Sequence, residues 1–273
     1  MNVMKKLKDA LKMSKNSSCP IYNHLLIIGA TSELGLQLFE KIHPLSKHFT
    51  LVGRDSKKLE ALKNRFGKKV STLSIDLSHH DSMQKLLLHI EEHTFDGLVQ
   101  LQGLGYYGHF EAIAISSHLE VIEINFTSQL QLIHHFVKHQ QDSSQIKLIL
   151  CVASMAGLVP CPYLASYSTA KSALIHLSKI LDIELKGCFR VLTVCPGAFG
   201  KAFSLKASLG KYHKEDGNQP YFNQVIETIA YVIKNKKPKV FCSLLDQLKW
   251  LFSLITPGFF LKKLFKKTLL SRI

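Results

Sequence analysis

From Asn23 onward, short runs rich in leucine, isoleucine and valine alternate with longer stretches whose apolar residues recur at helical spacing. The alternation continues to Phe241 without an internal sequence repeat. The apolar runs predict strands at 23–29, 48–53, 70–76, 95–101, 146–153, 189–195 and 238–243, and the periodic stretches between them predict helices. Parallel neighbours need crossovers of about a dozen residues, which these helices supply, and right-handed crossovers put helices on both faces of the sheet. The expected fold is α/β, a doubly wound parallel sheet of about seven strands. Such sheets bind ligands at the carboxyl ends of their strands, so the residues that follow each strand are the ones to read for chemistry.

The first strand runs into "GATSELG", Gly29 to Gly35, in a strand-turn-helix context. Glycine at the turn lets the backbone approach a phosphate, and Gly35 lets the helix pack close to the sheet with its free N–H groups facing an anion. Glu33 lies in the first helical turn, where the macrodipole favours an acid but a bound pyrophosphate would repel an inward carboxylate. This stretch alone leaves two readings open: a phosphate-binding loop, or a helix N-terminus capped by Thr31 or Ser32 without a ligand.

After the second strand, Gly53 and Arg54 stand where an acid would pair with a ribose 2'-hydroxyl. Arg54, with Lys57 or Lys58 nearby, suits a 2'-phosphate instead, while Asp55 is placed to neutralise Arg54. Ser154 closes the fifth strand, and Tyr167 and Lys171 follow at i and i+4 of one helix, which puts phenol and ammonium on one face. A free tyrosine has a pKa of about 10, and a neighbouring cation stabilises the phenolate and brings it towards the range useful for proton transfer.

Taken in order, these motifs resemble the short-chain dehydrogenase/reductase superfamily, from about Asn23 to Phe241. "YSTAK" fits its Y-x-x-x-K motif, with Ser154 thirteen residues before the tyrosine. "CPGAFG" at Cys195 to Gly200 fits the Pro-Gly segment after strand six, "IEINFTS" places Asn125 at a helix asparagine, and "SIDLS" places Asp76 at the adenine. The resemblance implies a Rossmann-type sheet and an NADP(H)-preferring oxidoreductase, with NAD(H) as the other cofactor, interconverting a carbonyl compound and an alcohol. It implies that Tyr167 is the acid or base, that Ser154 orients the carbonyl, that Lys171 holds the nicotinamide ribose and lowers the tyrosine pKa, and that Asn125 holds a relay water. The implied cofactor site comprises Gly29, Thr31, Ser32, Glu33, Leu34 and Gly35 of the first loop, then Arg54, Asp76, Leu77 and Gly103, then Pro196 and Gly197, with Tyr167 and Lys171.

Three positions depart from the family pattern: Glu33 replaces the middle glycine of G-x-x-x-G-x-G, "VQLQG" at Val99 to Gly103 replaces N-N-A-G, and Lys201 replaces a threonine. The rival reading is an idle dinucleotide-binding sensor or membrane-associated scaffold. Family members are often homodimers or homotetramers.

The net charge of +15 changes the picture only at the ends, because residues 1–20 and 236–273 supply twelve of the fifteen charges. A near-neutral middle argues against a nucleic-acid groove and for an anionic membrane surface. The expected organisation is a basic amphipathic extension over 1–20, a dinucleotide-binding catalytic domain over 21–243, and a basic amphipathic tail over 244–273 forming two short helices about Pro257. Neither a secretory signal nor a spanning helix is visible, which suggests a cytoplasmic protein that touches membrane peripherally. The stretch from Gly200 to Pro220, with Phe203, Leu205, Leu209, Tyr212, Lys206, Lys211 and Lys214, is expected to be a lid over a lipophilic substrate. Cys19, Cys151, Cys161, Cys188, Cys195 and Cys242 lack C-x-x-C spacing, so buried thiols are expected. The histidines, including His79–His80 and His134–His135, suggest surface positions, and no metal site is expected.

Overall fold

The computed structural model describes residues 21–141, 145–199, 203, 205, 207–208 and 219–255. The expected N-terminal extension, most of the lid and the tail beyond residue 255 lie outside the described residues. Six strands are present: β1 (Tyr22–Ile28), β2 (Ser46–Gly53), β3 (Val70–Ser74), β4 (Gly97–Gln100), β5 (Lys147–Val152) and β6 (Phe189–Val194). All pair in parallel in the order β3-β2-β1-β4-β5-β6. The order reverses between β1 and β4, and that switch point opens the crevice where the motifs after the strands converge.

The helices are α1 (Glu33–Ile42), α2 (Ser56–Phe66), α3 (His80–Glu92), α4 (Ile115–Ile122), α5 (Ser128–His139), α6 (Ala165–Glu184), α7 (Gln219–Asn235) and α8 (Leu244–Ile255). Both faces of the sheet are covered, which is why the strands read as continuous apolar runs. Leu25 and Ile27 of β1 meet Leu38 and Phe39 of α1 and Val225 and Ile229 of α7. Leu26 and Ile28 point the other way, into Leu86 and Ile90 of α3, Leu132 and Phe136 of α5 and Leu174 of α6. Phe39 anchors the first layer with edge-to-face contacts to Phe49 and Phe66, at 5.0 and 4.9 Å between ring centroids.

The expected seventh strand at 238–243 is not formed, so the sheet of the described residues has six strands. The segment passes the end of β6, where the Cys195 N–H donates to the Val240 carbonyl at 2.7 Å. A ladder is disfavoured because Pro238 lacks a donor and Phe241 turns to pack on Trp250, 5.4 Å away between centroids. The described cysteines form no disulfide; Cys151, Cys195 and Cys242 are buried as expected, whereas Cys161 is half-buried and Cys188, in the turn before β6, is exposed.

Candidate functional site

The loop after β1 is built for close approach. Gly29 has φ +84°, a backbone conformation that side chains rarely adopt, and its N–H and that of Ala30 both donate to the Val52 carbonyl at 2.9 Å. Ser32 is the N-cap of α1: its hydroxyl accepts from the Gly35 N–H at 3.0 Å and donates to the Gly29 carbonyl at 2.7 Å. Of the two caps considered, Ser32 therefore fills the role and Thr31 does not. A Cβ on Gly35 would stand 2.5 Å from the Gly29 carbonyl oxygen, so the helix start lies directly on the turn. The amides of Glu33 and Leu34 have no intrahelical acceptor and sit at the positive end of the α1 dipole.

A cleft of about 1060 Å³ opens over this loop, just above the roughly 300–1,000 Å³ usual for ligand sites. Gly29, Thr31, Ser32, Glu33 and Leu34 line it at one end, with Arg54, Asp76 and Leu77 beside them. Gly53 leaves the room that Thr31 occupies, since a Cβ there would overlap the threonine side chain. Asp55 does not neutralise Arg54, contrary to the expectation from adjacency. It caps α2, accepting from the Lys58 N–H at 3.0 Å, and its ion pair is with Lys58 at 3.6 Å. Helix capping claims that carboxylate because α2 starts at the next residue. Among the described residues Arg54 makes no ion pair, and it lines the cleft together with Lys58. Burial would raise the Asp76 carboxyl, but hydrogen bonds from the Ser78 amide and hydroxyl, with Arg54 and His79 nearby, hold it below its usual value.

At the other end of the cleft stand Gly103, Ser154, Tyr167, Lys171 and Gly197. Ser154 follows β5 in extended conformation and its hydroxyl accepts from the Ala156 N–H at 3.1 Å. Tyr167 packs between Phe203, 5.4 Å away between centroids, and Gly105, whose added Cβ would lie 3.3 Å from the ring. Lys171 is buried one turn on, with Nζ 5.9 Å from the Tyr167 ring centroid. It donates to the carbonyls of Val152 and Gln102 at 3.0 and 3.3 Å. Burial pushes the Tyr167 phenol above its ordinary value, with the Ser154 hydroxyl pulling the other way, and burial takes the Lys171 ammonium down to about 8. In this structure desolvation thus outweighs the expected lowering of the phenol by its neighbouring cation.

Three expected site residues lie behind the cleft surface. Gly35 supplies the helix approach described above. Pro196 offers its carbonyl to the Met155 N–H at 2.8 Å and, more weakly, to the Ser154 hydroxyl at 3.5 Å. Asn125 is fully buried in a π turn, Glu123–Thr127, that joins α4 to α5. Its carboxamide ties the loop after β4 to α4, donating to the carbonyls of Leu104 and Val121 at 2.6 and 2.8 Å and accepting from the Leu104 N–H at 3.3 Å. The buried Asn125 carbonyl accepts from Gln129 Nε2 at 3.1 Å.

The "VQLQG" departure forms its own polar column. Gln102 Nε2 donates to Gln100 Oε1 at 3.1 Å, and Gln100 Nε2 reaches Cys151 Sγ at 3.6 Å. The side-chain amides of Gln100 and Gln102 thus link the end of β4 to Cys151 of the neighbouring β5.

Sequence reasoning missed one wall of the cleft. Lys249, Phe252 and Ser253 of α8 line it, and α8 is fastened beside it by the buried Asp246. The Tyr221 hydroxyl donates to Asp246 at 2.7 Å and accepts from the Gly197 N–H at 2.6 Å. A Cβ on Gly197 would come within 2.9 Å of that hydroxyl. The available signal was Asp246 itself, the lone acid among the basic residues of 236–273.

The family model described as short chain dehydrogenase matches residues 23–208. Dehydrogenase/reductase SDR family member 7B of Danio rerio is 24% identical over 199 residues, covering 68% of this chain and 64% of that protein. A 7beta-hydroxysteroid dehydrogenase of Collinsella aerofaciens is 23% identical over 168 residues, covering 59% and 63%. The chain thus spans less than two thirds of these curated relatives. The solved structure of ElxO with NADP bound is 17% identical, with a TM-score of 0.67 over 81% of this chain and 97% of that one, a likeness of fold. With the family model matched over most of the sheet, the chain belongs to the short-chain dehydrogenase family.

Proposed function

We propose that the chain is an NADP(H)-dependent oxidoreductase that interconverts a lipophilic ketone or aldehyde and the corresponding alcohol. The observation that carries this reading is the single cleft with the Gly29–Gly35 turn and Arg54 at one end and Ser154, Tyr167 and Lys171 at the other. The residues present fit a dinucleotide: the turn and the α1 amides suit a pyrophosphate, and the guanidinium beside Lys58 suits a 2'-phosphate. When bound, the nicotinamide supplies the hydride.

The chain's own residues position and protonate. Tyr167 holds the proton given to the developing alkoxide and takes it back in the reverse direction. Ser154 orients the carbonyl oxygen, and Lys171 binds the nicotinamide ribose and supplies positive charge near the phenol. Asn125 fixes Leu104, and with it the loop that borders Lys171. An apolar surround from Tyr107, Leu164 and Phe203 supports a lipophilic substrate, as does a relative named for a hydroxysteroid.

The test is a fluorescence titration of the protein with NADPH and NADH. NADPH is expected to bind more tightly, and Arg54→Ala to weaken NADPH about tenfold while leaving NADH nearly unchanged, as for an exposed charge-assisted contact of about 1.4 kcal/mol. Binding of neither cofactor would hand the chain to the rival reading, an idle scaffold.

The same proposal includes peripheral docking on anionic membrane through the two basic ends. It is supported by α8, which turns Asp246 inward while Leu244, Leu248 and Leu251 are 71%, 51% and 45% exposed among the described residues. No helix among the described residues is long and apolar enough to cross a membrane, so the contact would be interfacial. Replacing these three leucines by serine should lower sedimentation with phosphatidylserine vesicles more than tenfold, at roughly 1.5 kcal/mol or more for each leucine fully buried in lipid. Unchanged partition would remove the membrane from the proposal.

A further inference from the structure

At the end of the sheet opposite the cleft, Glu91, His135 and His139 come together from two helices. We propose that they form a binding site for one divalent transition metal of the zinc class, clamping α3 to α5. His135 and His139 stand one turn apart on α5, so both imidazoles leave the same helix face, with ring centroids 4.5 Å apart. Glu91 lies in the last turn of α3 and brings Oε1 to 2.7 Å from His135 Nε2 and 3.5 Å from His139 Nε2. All three candidate ligand atoms lie within 4.8 Å of one another. Two donors held at about 2.1 Å from a tetrahedral ion are about 3.4 Å apart; the 3.5 Å between Glu91 Oε1 and His139 Nε2 already matches, and the 2.7 Å to His135 Nε2 would have to open slightly.

A plain ion pair would satisfy the same atoms by pointing them at each other. Here they do not point that way: His135 Nε2 is shielded from solvent and makes no hydrogen bond, although the carboxylate oxygen is 2.7 Å distant. Two imidazoles and a carboxylate suit zinc, cobalt or nickel, whereas magnesium and calcium take oxygen ligands. The side chains keep 38%, 18% and 28% exposure for Glu91, His135 and His139, which leaves an entry path and room for water as a fourth ligand. Because α3 and α5 run into the starts of β4 and β5, the ion would fasten helices far from the proton-transfer groups, a structural role and not a part of the reaction. Reading the sequence for adjacent ligands could not find it, since the third donor comes from another helix.

The experiment is calorimetric titration of untagged, full-length protein with zinc chloride, with cobalt chloride followed by visible absorption and magnesium chloride as control. One equivalent of zinc and of cobalt is expected, with no magnesium binding, and zinc should raise Tm. His139→Gln and Glu91→Gln should each weaken zinc at least about tenfold and abolish the Tm rise, judging by the losses usual at metal sites. The chain has other histidine pairs, including His89 and His93, stacked at 3.9 Å between centroids. His93→Gln should therefore leave zinc affinity unchanged. Absence of zinc binding, or zinc binding that survives His139→Gln or falls equally with His93→Gln, would overturn the site.

Discussion

Replacing Tyr167 by phenylalanine is expected to lower turnover of a carbonyl substrate by about 10²–10⁴, the usual contribution of a positioned acid, while NADPH still binds and Tm hardly moves. The ring survives the change, and with it the contacts to Phe203 and to the Lys171 ammonium. Only the hydroxyl is lost. Burial holds that phenol above its ordinary value, so at neutral pH it is protonated and ready to donate, which suits reduction. Oxidation needs the phenolate and should accelerate as pH rises. Lys171 adds a second limit: burial brings it to about 8, so its charge is present below that value and is lost above it. For reduction, kcat/KM should accordingly be level near neutrality and fall as pH rises through about 8. A phenylalanine variant retaining a tenth or more of the parent rate would remove Tyr167 from its proposed role.

The two ends of the cleft were unequally legible from sequence. Strands β1 to β6 lie within about two residues of their expected positions because burial on both faces writes each as an apolar run. The same signal misled at 238–243, where "VFC" is equally apolar but Pro238 cannot join a ladder, so composition and pairing part company. Ser154, Tyr167 and Lys171 were legible because helix periodicity alone puts the last two on one face. Their electrostatic balance was not, since it depends on how much water the fold removes. Asp55 was misread because whether a carboxylate pairs with its neighbour or caps a helix is decided by where the helix begins. The Gly197–Tyr221–Asp246 chain joins three segments distant in sequence, and no local pattern encodes such a contact. It does give the family's Pro-Gly segment a local reason: a side chain at Gly197 would displace the hydroxyl that holds α8 against the cleft.

The second large effect is expected at Gly35→Ala. By helix propensity alone the change should stabilise α1, by up to about 1 kcal/mol. The added Cβ would meet the carbonyl oxygens of Gly29 and Ala30 at 2.5 and 2.6 Å and the Ala30 carbonyl carbon at 2.7 Å. All three are backbone atoms, so no rotamer change relieves the overlap, and the turn or the helix must move. Overpacking of this kind costs about 1–3 kcal/mol, enough to cancel the propensity gain and leave a net loss. The movement falls on the peptide units that aim the Glu33 and Leu34 amides, so NADPH affinity should drop tenfold or more even where the protein remains folded. A companion change at Gly67, where a Cβ meets nothing within 4 Å but φ is +56°, separates the two causes. Gly67→Ala should lower Tm through backbone strain and leave NADPH affinity alone. If Gly35→Ala instead behaves like Gly67→Ala, destabilised but binding NADPH as the parent does, then close approach of α1 to the turn does not build the phosphate site, and the site must draw its affinity from Arg54 and Lys58.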